Sequence, residues 1–197
     1  REDPMTRPAQ TDAPLISPVR DRWSPRAFAD QGIPRDDLHT LLEAARWAPS
    51  CKNEQPWRFV YAHKGEAGYD ALHGLLDDWN LKWAPQAPVL LLSLARKAFV
   101  DDGQTNAHAW HDVGLAMGQL LAQATSMGIY AHQMAGFDWR GANAALGIPD
   151  DYAAVSMTAL GYLGDPDTLP EKLAKLERKP RERRPLAELA FEGGWPS

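Results

Sequence analysis

The stretch Trp47-Ala48-Pro49-Ser50-Cys51-Lys52-Asn53-Glu54-Gln55-Pro56-Trp57-Arg58-Phe59 decides how this chain folds. Pro49 and Pro56 enclose a short polar turn, so a helix has to stop before it and a strand can begin after it. Upstream, Leu38, Leu41, Leu42 and Ala45 recur at i, i+3, i+4 and i+7, the spacing of an amphipathic helix. Pro34 suits the first turn of that helix, which is predicted to run to about Trp47. Downstream, Trp57-Arg58-Phe59-Val60-Tyr61 alternates and is rich in β-formers, which predicts a strand over 57–63. The turn is therefore a polar loop held at both ends, a good place to bind something.

Working outward, Leu15 to Arg22 can form a short helix, but Pro25 forces Ser24 out of the α region. In an extended segment alternate residues share a side, which puts Arg22, Ser24 and Arg26 in one row, two cations flanking a hydroxyl. Such a row suits a phosphate or a polyol. Taken alone it also reads as a solvated charged turn. Gly65 to Asp78 is predicted helical, and Val89-Leu90-Leu91-Leu92 reads as a central strand buried on both faces. Lys82 sits just ahead of that strand, placed to aim into a cleft or simply to lie on the surface.

Residues 96–104 read as a loop at a pocket rim. Thr105 to Met127 then carries Val113, Met117, Leu120, Leu121 and Ala124 as one stripe of a long helix stopped by Gly128. Gly114 and Gly118 lie four apart on it and allow close packing. Ile129 to Met134 and Ala153 to Leu160 read as strands, with a short helix at Gly141 to Leu146 between them. At the end of the first of these, Gly136 can bring a backbone N–H close to a flat ligand because no Cβ intervenes. The tail, about 172–197, alternates charge and is expected to lie across another surface, with Arg181 and Arg183 pointing the same way.

Bulk properties narrow the function. The 197 residues suit a single domain, 15–197, preceded by a flexible polar arm, 1–14. A formal net charge of −5 argues against nucleic acid as a partner, since phosphate neutralisation needs a basic face. The longest apolar run, Ala87 to Ala95, is far short of the ~20 residues of a membrane span. One cysteine, Cys51, excludes an intrachain disulfide, so a cytoplasmic location is expected. His108, His111 and Asp112 share a helix face, but with no further ligand set in view no metal is predicted. The eight tryptophans are expected mostly in the core, with Trp79, Trp83, Trp110 and Trp139 the candidates for an aromatic pocket wall.

The turn at 48–57 resembles the APSxxNxQPW signature of the FMN-dependent nitroreductase family. Arg22 to Phe28 resembles its RxSxRxF opening, Gly136-Phe137-Asp138 its GFD block, Leu160-Gly161-Tyr162 its LGY block and Arg181 to Leu186 its basic tail. Five matches in order over about 15–190 carry the resemblance. It implies an α+β fold with a central, mainly antiparallel sheet flanked by helices. It implies an intertwined homodimer, with Pro49 to Asn53 of one subunit completing the other's pocket. It implies non-covalent FMN, NADH or NADPH as donor, and a nitroaromatic, quinone or other small activated molecule as electron acceptor.

Carried over position by position, the resemblance makes Arg22, Trp23, Ser24, Arg26, Pro49, Ser50, Cys51, Asn53, Lys82, Ala135, Gly136, Arg181 and Arg183 the candidate cofactor contacts. Arg22, Arg181 and Arg183 take the phosphate. Ser24 and Asn53 hydrogen-bond the ribityl chain and the ring's polar edge, while Arg26 and Lys82 take the N1–O2 edge. The Gly136 N–H lies opposite N5. No side chain is named as a catalytic acid or base, because the flavin carries the chemistry. Ala135 departs from relatives that have an acid there. That departure leaves open a non-catalytic flavin-binding or regulatory module, and flavin-consuming or dehalogenating relatives share part of the signature.

Overall fold

A computed structural model describes residues 7–196 of the chain. Four strands form one sheet: β1 (Trp57–His63), β2 (Val89–Arg96), β3 (Tyr130–Met134) and β4 (Tyr152–Gly161). Their order is β1-β2-β4-β3 and every pairing is antiparallel. Among the described residues six α-helices accompany them: α1 (Ser17–Asp21), α2 (Arg35–Arg46), α3 (Ala67–His73), α4 (Ala109–Ser126), α5 (Ala142–Leu146) and α6 (Glu171–Glu177). The α+β architecture is the expected one.

The sheet separates two cores, and β2 serves both. Leu90, Leu92 and Leu94 pack with Leu72, Trp83, Phe28 and Leu173 on one face. Val89, Leu91 and Ala95 pack with Leu38 and Leu41 of α2 and with Val113, Met117 and Leu120 of α4 on the other. A strand buried on both sides has no polar face to alternate, which is why 89–92 reads as a continuous apolar run. Ser93, the polar residue within it, is fully buried and meets the Ser156 hydroxyl at 2.9 Å where the register between β2 and β4 shifts.

Several boundaries differ from the expectations. α4 starts at Ala109 rather than Thr105, because Thr105 bridges to Ala98 and the Asn106 carboxamide accepts the His108 N–H at 3.0 Å. α3 ends at His73, after which Leu76 pairs with Phe137 instead of extending the helix. The stretch 172–177, expected to belong to the tail, lies in α6 and packs Leu173 and Ala174 into the core. Their spacing is too short to stand out against the surrounding charge. The tryptophans are also misjudged: Trp23, Trp57 and Trp83 are buried, while Trp47, Trp79, Trp110, Trp139 and Trp195 are exposed.

One backbone pairing positions the functional residues. Beyond β4, Leu163 bridges to Phe28, the Ala29 N–H donates to Tyr162 O (3.0 Å) and the Gly164 N–H donates to Ala27 O (3.0 Å). The extended segment 22–28 is thereby clipped to the exit of the sheet.

Candidate cofactor site

Arg22 leaves α1 in an extended conformation (φ −63°, ψ 124°), and beyond it Trp23 and Pro25 are buried while Ser24 is exposed and Arg22 and Arg26 are half-buried. A cleft of about 240 Å³ opens beside it. Its walls bring together Arg22, Trp23, Ser24 and Arg26 from one end of the sequence and Arg181 and Arg183 from the other. Six of the thirteen candidate positions thus meet in one chain.

Cations dominate the electrostatics of this cleft, with Glu177 the one carboxylate on its wall. Burial, together with the charge of Arg183, pushes the Arg22 guanidinium below the ordinary arginine range. Arg181 is lowered too, first by burial and then by Arg22 and Arg183. Partly buried cations that repel one another gain from a shared anion, and a phosphate accepts several guanidinium donors at once. Exposed beside them, the Ser24 hydroxyl lies 3.4 Å from Arg22 Nη1. Arg181 also has an internal task, donating through Nη1 to the Arg7 carbonyl and, at 3.0 Å, to the Arg20 carbonyl. Arg7 in turn donates to the carbonyls of Glu177 and Lys179, so residues near both ends of the chain are laced together. The rest of the expected arm, residues 1–6, lies outside the described residues.

Two residues that hold this segment carry no signal in the sequence. Glu177, with 1% of its side chain exposed, accepts the Arg26 and Ala27 N–H groups through Oε1 at 2.7 and 3.0 Å. On the other side, His132 of β3 approaches Pro25 O through Nδ1 at 2.9 Å and lies against Trp83, with ring centroids 4.5 Å apart. Burial pushes His132 down to about 4, so at neutral pH the imidazole is uncharged and its Nδ1–H is the donor. A histidine one strand residue from an alternating apolar pattern, and a glutamate closing a short helix, look like any others.

The second group of candidates lies around the end of β3. Gly136 O accepts from Asn80 Nδ2 (2.9 Å) and from the Asp77 N–H (3.1 Å), and Asn80 Oδ1 accepts from Trp83 Nε1 (3.2 Å). A Cβ on Gly136 would come within 2.1 Å of Asp77 Oδ2 and 2.6 Å of Asn80 Nδ2, so a side chain here would have to displace both polar groups. Ala135 beside it is exposed. Lys82 is exposed as well, its Nζ 5.4 Å from the centroid of the Trp79 ring. Asn80, buried, is the residue of that turn linked to Gly136, whereas Arg26 reaches the same group by lying 5.9 Å over the Trp83 ring.

Pro49, Ser50, Cys51 and Asn53 form a third group, apart from the arginine cleft within this chain. Lys52, Asn53 and Gln55 all have positive φ (52°, 57° and 49°), a costly conformation for residues other than glycine. The loop keeps it because buried Asp112 of α4 accepts the Cys51 N–H at 3.0 Å and Ser50 Oγ accepts the Gln55 N–H at 3.0 Å. Asp112 also meets His111 Nδ1 at 3.2 Å, so its two carboxylate oxygens serve the loop and the neighbouring imidazole. No three metal-binding side chains converge among the described residues.

Fold and cleft together describe an α+β protein in which guanidinium groups from both ends of the chain line one cleft. The model of the nitroreductase family matches residues 19–81 and 70–162. An uncharacterized 15.4 kDa protein of Mycolicibacterium smegmatis is 39% identical over 146 residues, which are 70% of this chain and 97% of that one. The NADH dehydrogenase of Thermus thermophilus is 27% identical over 185 residues, covering 80% of this chain and 90% of that one. A crystal structure of an oxidoreductase containing FMN superposes with a TM-score of 0.91 at 40% identity, over 95% of this chain and 96% of that chain. The chain belongs to the nitroreductase family. Membership makes it an NAD(P)H-dependent flavin oxidoreductase.

Proposed function

We propose that the protein binds FMN non-covalently, takes a hydride from NADH or NADPH and passes it to a nitroaromatic, a quinone or a related activated acceptor in ping-pong turnover. The observation that carries this reading is the convergence of Arg22, Ser24 and Arg26 with Arg181 and Arg183 on one cleft. When bound, FMN supplies a ring nitrogen that accepts and returns a hydride, while the protein binds, orients and tunes. Arg22 and Arg183 hold the phosphate, with Arg181 bracing the cradle, and Ser24 bonds the ribityl chain. Arg26 provides positive charge where electron density rises on reduction. Gly136, kept free of a side chain and fixed by Asn80, offers its peptide to the ring.

The reading includes a homodimer, in which Pro49 to Asn53 completes the neighbouring pocket and the segment beyond α6 lies on the second subunit. Its support is the clamped, high-energy loop and an open stripe on α4. There, nothing stands within 4 Å of a Cβ built on Gly114 or Gly118, next to exposed Trp110 and Leu115. A stable monomer that binds flavin, seen by sedimentation, would refute the dimer. A cytoplasmic location belongs to the same proposal and rests on the free Cys51; no described helix is long and apolar enough to cross a membrane.

Anaerobic mixing of the FMN-loaded protein with NADH and then NADPH tests the function. The flavin absorption should bleach with at least one donor and return on adding acceptor; no bleaching with either removes the reductase reading. Exposed Ala135, with no carboxylate to offer, favours a second reading as a flavin-binding module. Steady-state turnover with a panel of acceptors separates the two.

A further inference from the structure

Glu177 stands behind the cofactor segment, on the last turn of α6, and belongs to none of the motifs that identify the family. Its carboxylate is divided in use. Oε1 accepts both the Arg26 and the Ala27 N–H, whereas Oε2 is buried without a hydrogen-bond partner and lies 3.7 Å from Arg26 Nη1. Arg26 is equally unfinished: its Nε is buried and has no partner either. The two charges are within ion-pair range but beyond hydrogen-bond range, with 24% of the arginine side chain exposed and 1% of the glutamate.

A buried carboxylate so placed does two things at once. Two charge-assisted bonds to consecutive amides fix the peptide on which Arg26 sits, and such bonds are among the strongest available to a backbone. The remaining negative charge offsets part of the field of the Arg26 guanidinium, inside a region where charges are poorly screened. A cation facing the flavin stabilises its reduced, more negative form, so a carboxylate behind that cation opposes the effect.

We propose that Glu177 is a positioning residue for the Arg22–Ala27 segment and that, acting through Arg26, it holds the flavin reduction potential below the value the arginine would otherwise set. The inference rests on the reading that Arg26 faces the FMN ring. It concerns a residue of this chain for which the oxidoreductase class alone makes no prediction.

The test compares FMN-loaded wild type with Glu177→Gln, which keeps an acceptor for the two amides and removes the charge. Midpoint potentials are measured by dye equilibration, with FMN dissociation constants and melting curves alongside. Reduced flavin should be favoured over oxidised by about tenfold more than in wild type, equivalent to about 30 mV upward for a two-electron couple. In an Arg26→Gln background the same change should move the potential less. An unchanged potential in a folded, flavin-bearing Glu177→Gln protein overturns the inference, as does an equal shift with and without Arg26. Should Glu177→Gln fail to fold, Glu177→Asp carries the test: retracting the carboxylate by one methylene should weaken FMN binding at least threefold and raise the potential. Wild-type values for both would overturn it. A wild-type protein that takes up no FMN would instead defeat the reading on which the inference rests.

Discussion

Gly164→Ala is the substitution that most directly asks whether the clip beyond β4 positions the cofactor segment. A Cβ built on Gly164 falls 2.4 Å from Phe28 C, 2.5 Å from Phe28 O and 2.7 Å from Ala29 N. These are backbone atoms, so no side-chain rotation relieves the overlap and the two segments have to separate. Separation strains two bonds, Gly164 N–H to Ala27 O and Ala29 N–H to Tyr162 O, each 3.0 Å long. At about 0.5–1.5 kcal/mol per backbone hydrogen bond, that is about 1–3 kcal/mol. Phe28, 5% exposed and packed on Trp83, would loosen as well and bring the total to about 3 kcal/mol. At about 2–4 °C per kcal/mol for a chain of this size, the melting temperature should fall by about 6–12 °C. Because the displaced strand leads directly to Arg26 and Ser24, FMN affinity should fall with it. Thermal melting and flavin-fluorescence titration of the same preparation read both. A Gly164→Ala protein that melts within about 1 °C of wild type and binds FMN equally well would refute the argument that this contact is tight and positions the segment.

Other outcomes follow from the same geometry. His132 is held down to about 4 by burial, so below about pH 6.5 the unfolded chain binds a proton that the folded one does not. Stability should therefore decrease as the pH falls from 6.5 to 4, by up to about 3 kcal/mol from this group at 1.36 kcal/mol per pH unit. Urea midpoints should show a shallower pH slope for His132→Gln, and an identical slope would exclude the mechanism. Arg183→Gln should weaken FMN binding by about tenfold or more, the loss of one charged hydrogen bond, and leave riboflavin binding unchanged. Equal losses for both flavins would move Arg183 away from the phosphate. Asp112→Ala, which removes the acceptor, should release the Cys51 amide and speed the reaction of Cys51 with a thiol reagent, at a cost of about 1–3 kcal/mol in stability. An unchanged labelling rate would mean that the loop is held by other contacts.

The sequence by itself determined the four strands and five of the six α-helices. Leu38, Leu41 and Ala45 repeat at helical spacing, 89–92 is apolar without interruption, and the prolines at 49 and 56 punctuate the loop; each is a local property that survives into the fold. The basic residues at both ends were legible as a type of chemistry. Their meeting place followed only from the family resemblance and not from any local pattern, because the cleft is closed by contacts between residues about 150 or more positions apart, such as Glu177 with Arg26 and Arg181 with Arg7. Glu177 and His132 could not be picked out for the same reason: what distinguishes them is burial and a backbone partner, and neither leaves a local pattern. Tertiary structure also decided which tryptophans are buried, tied Asn80 to Gly136, and turned Asp112 into a clamp. Periodicity fixes which way a side chain points within its own element, while packing of distant elements fixes what it meets there.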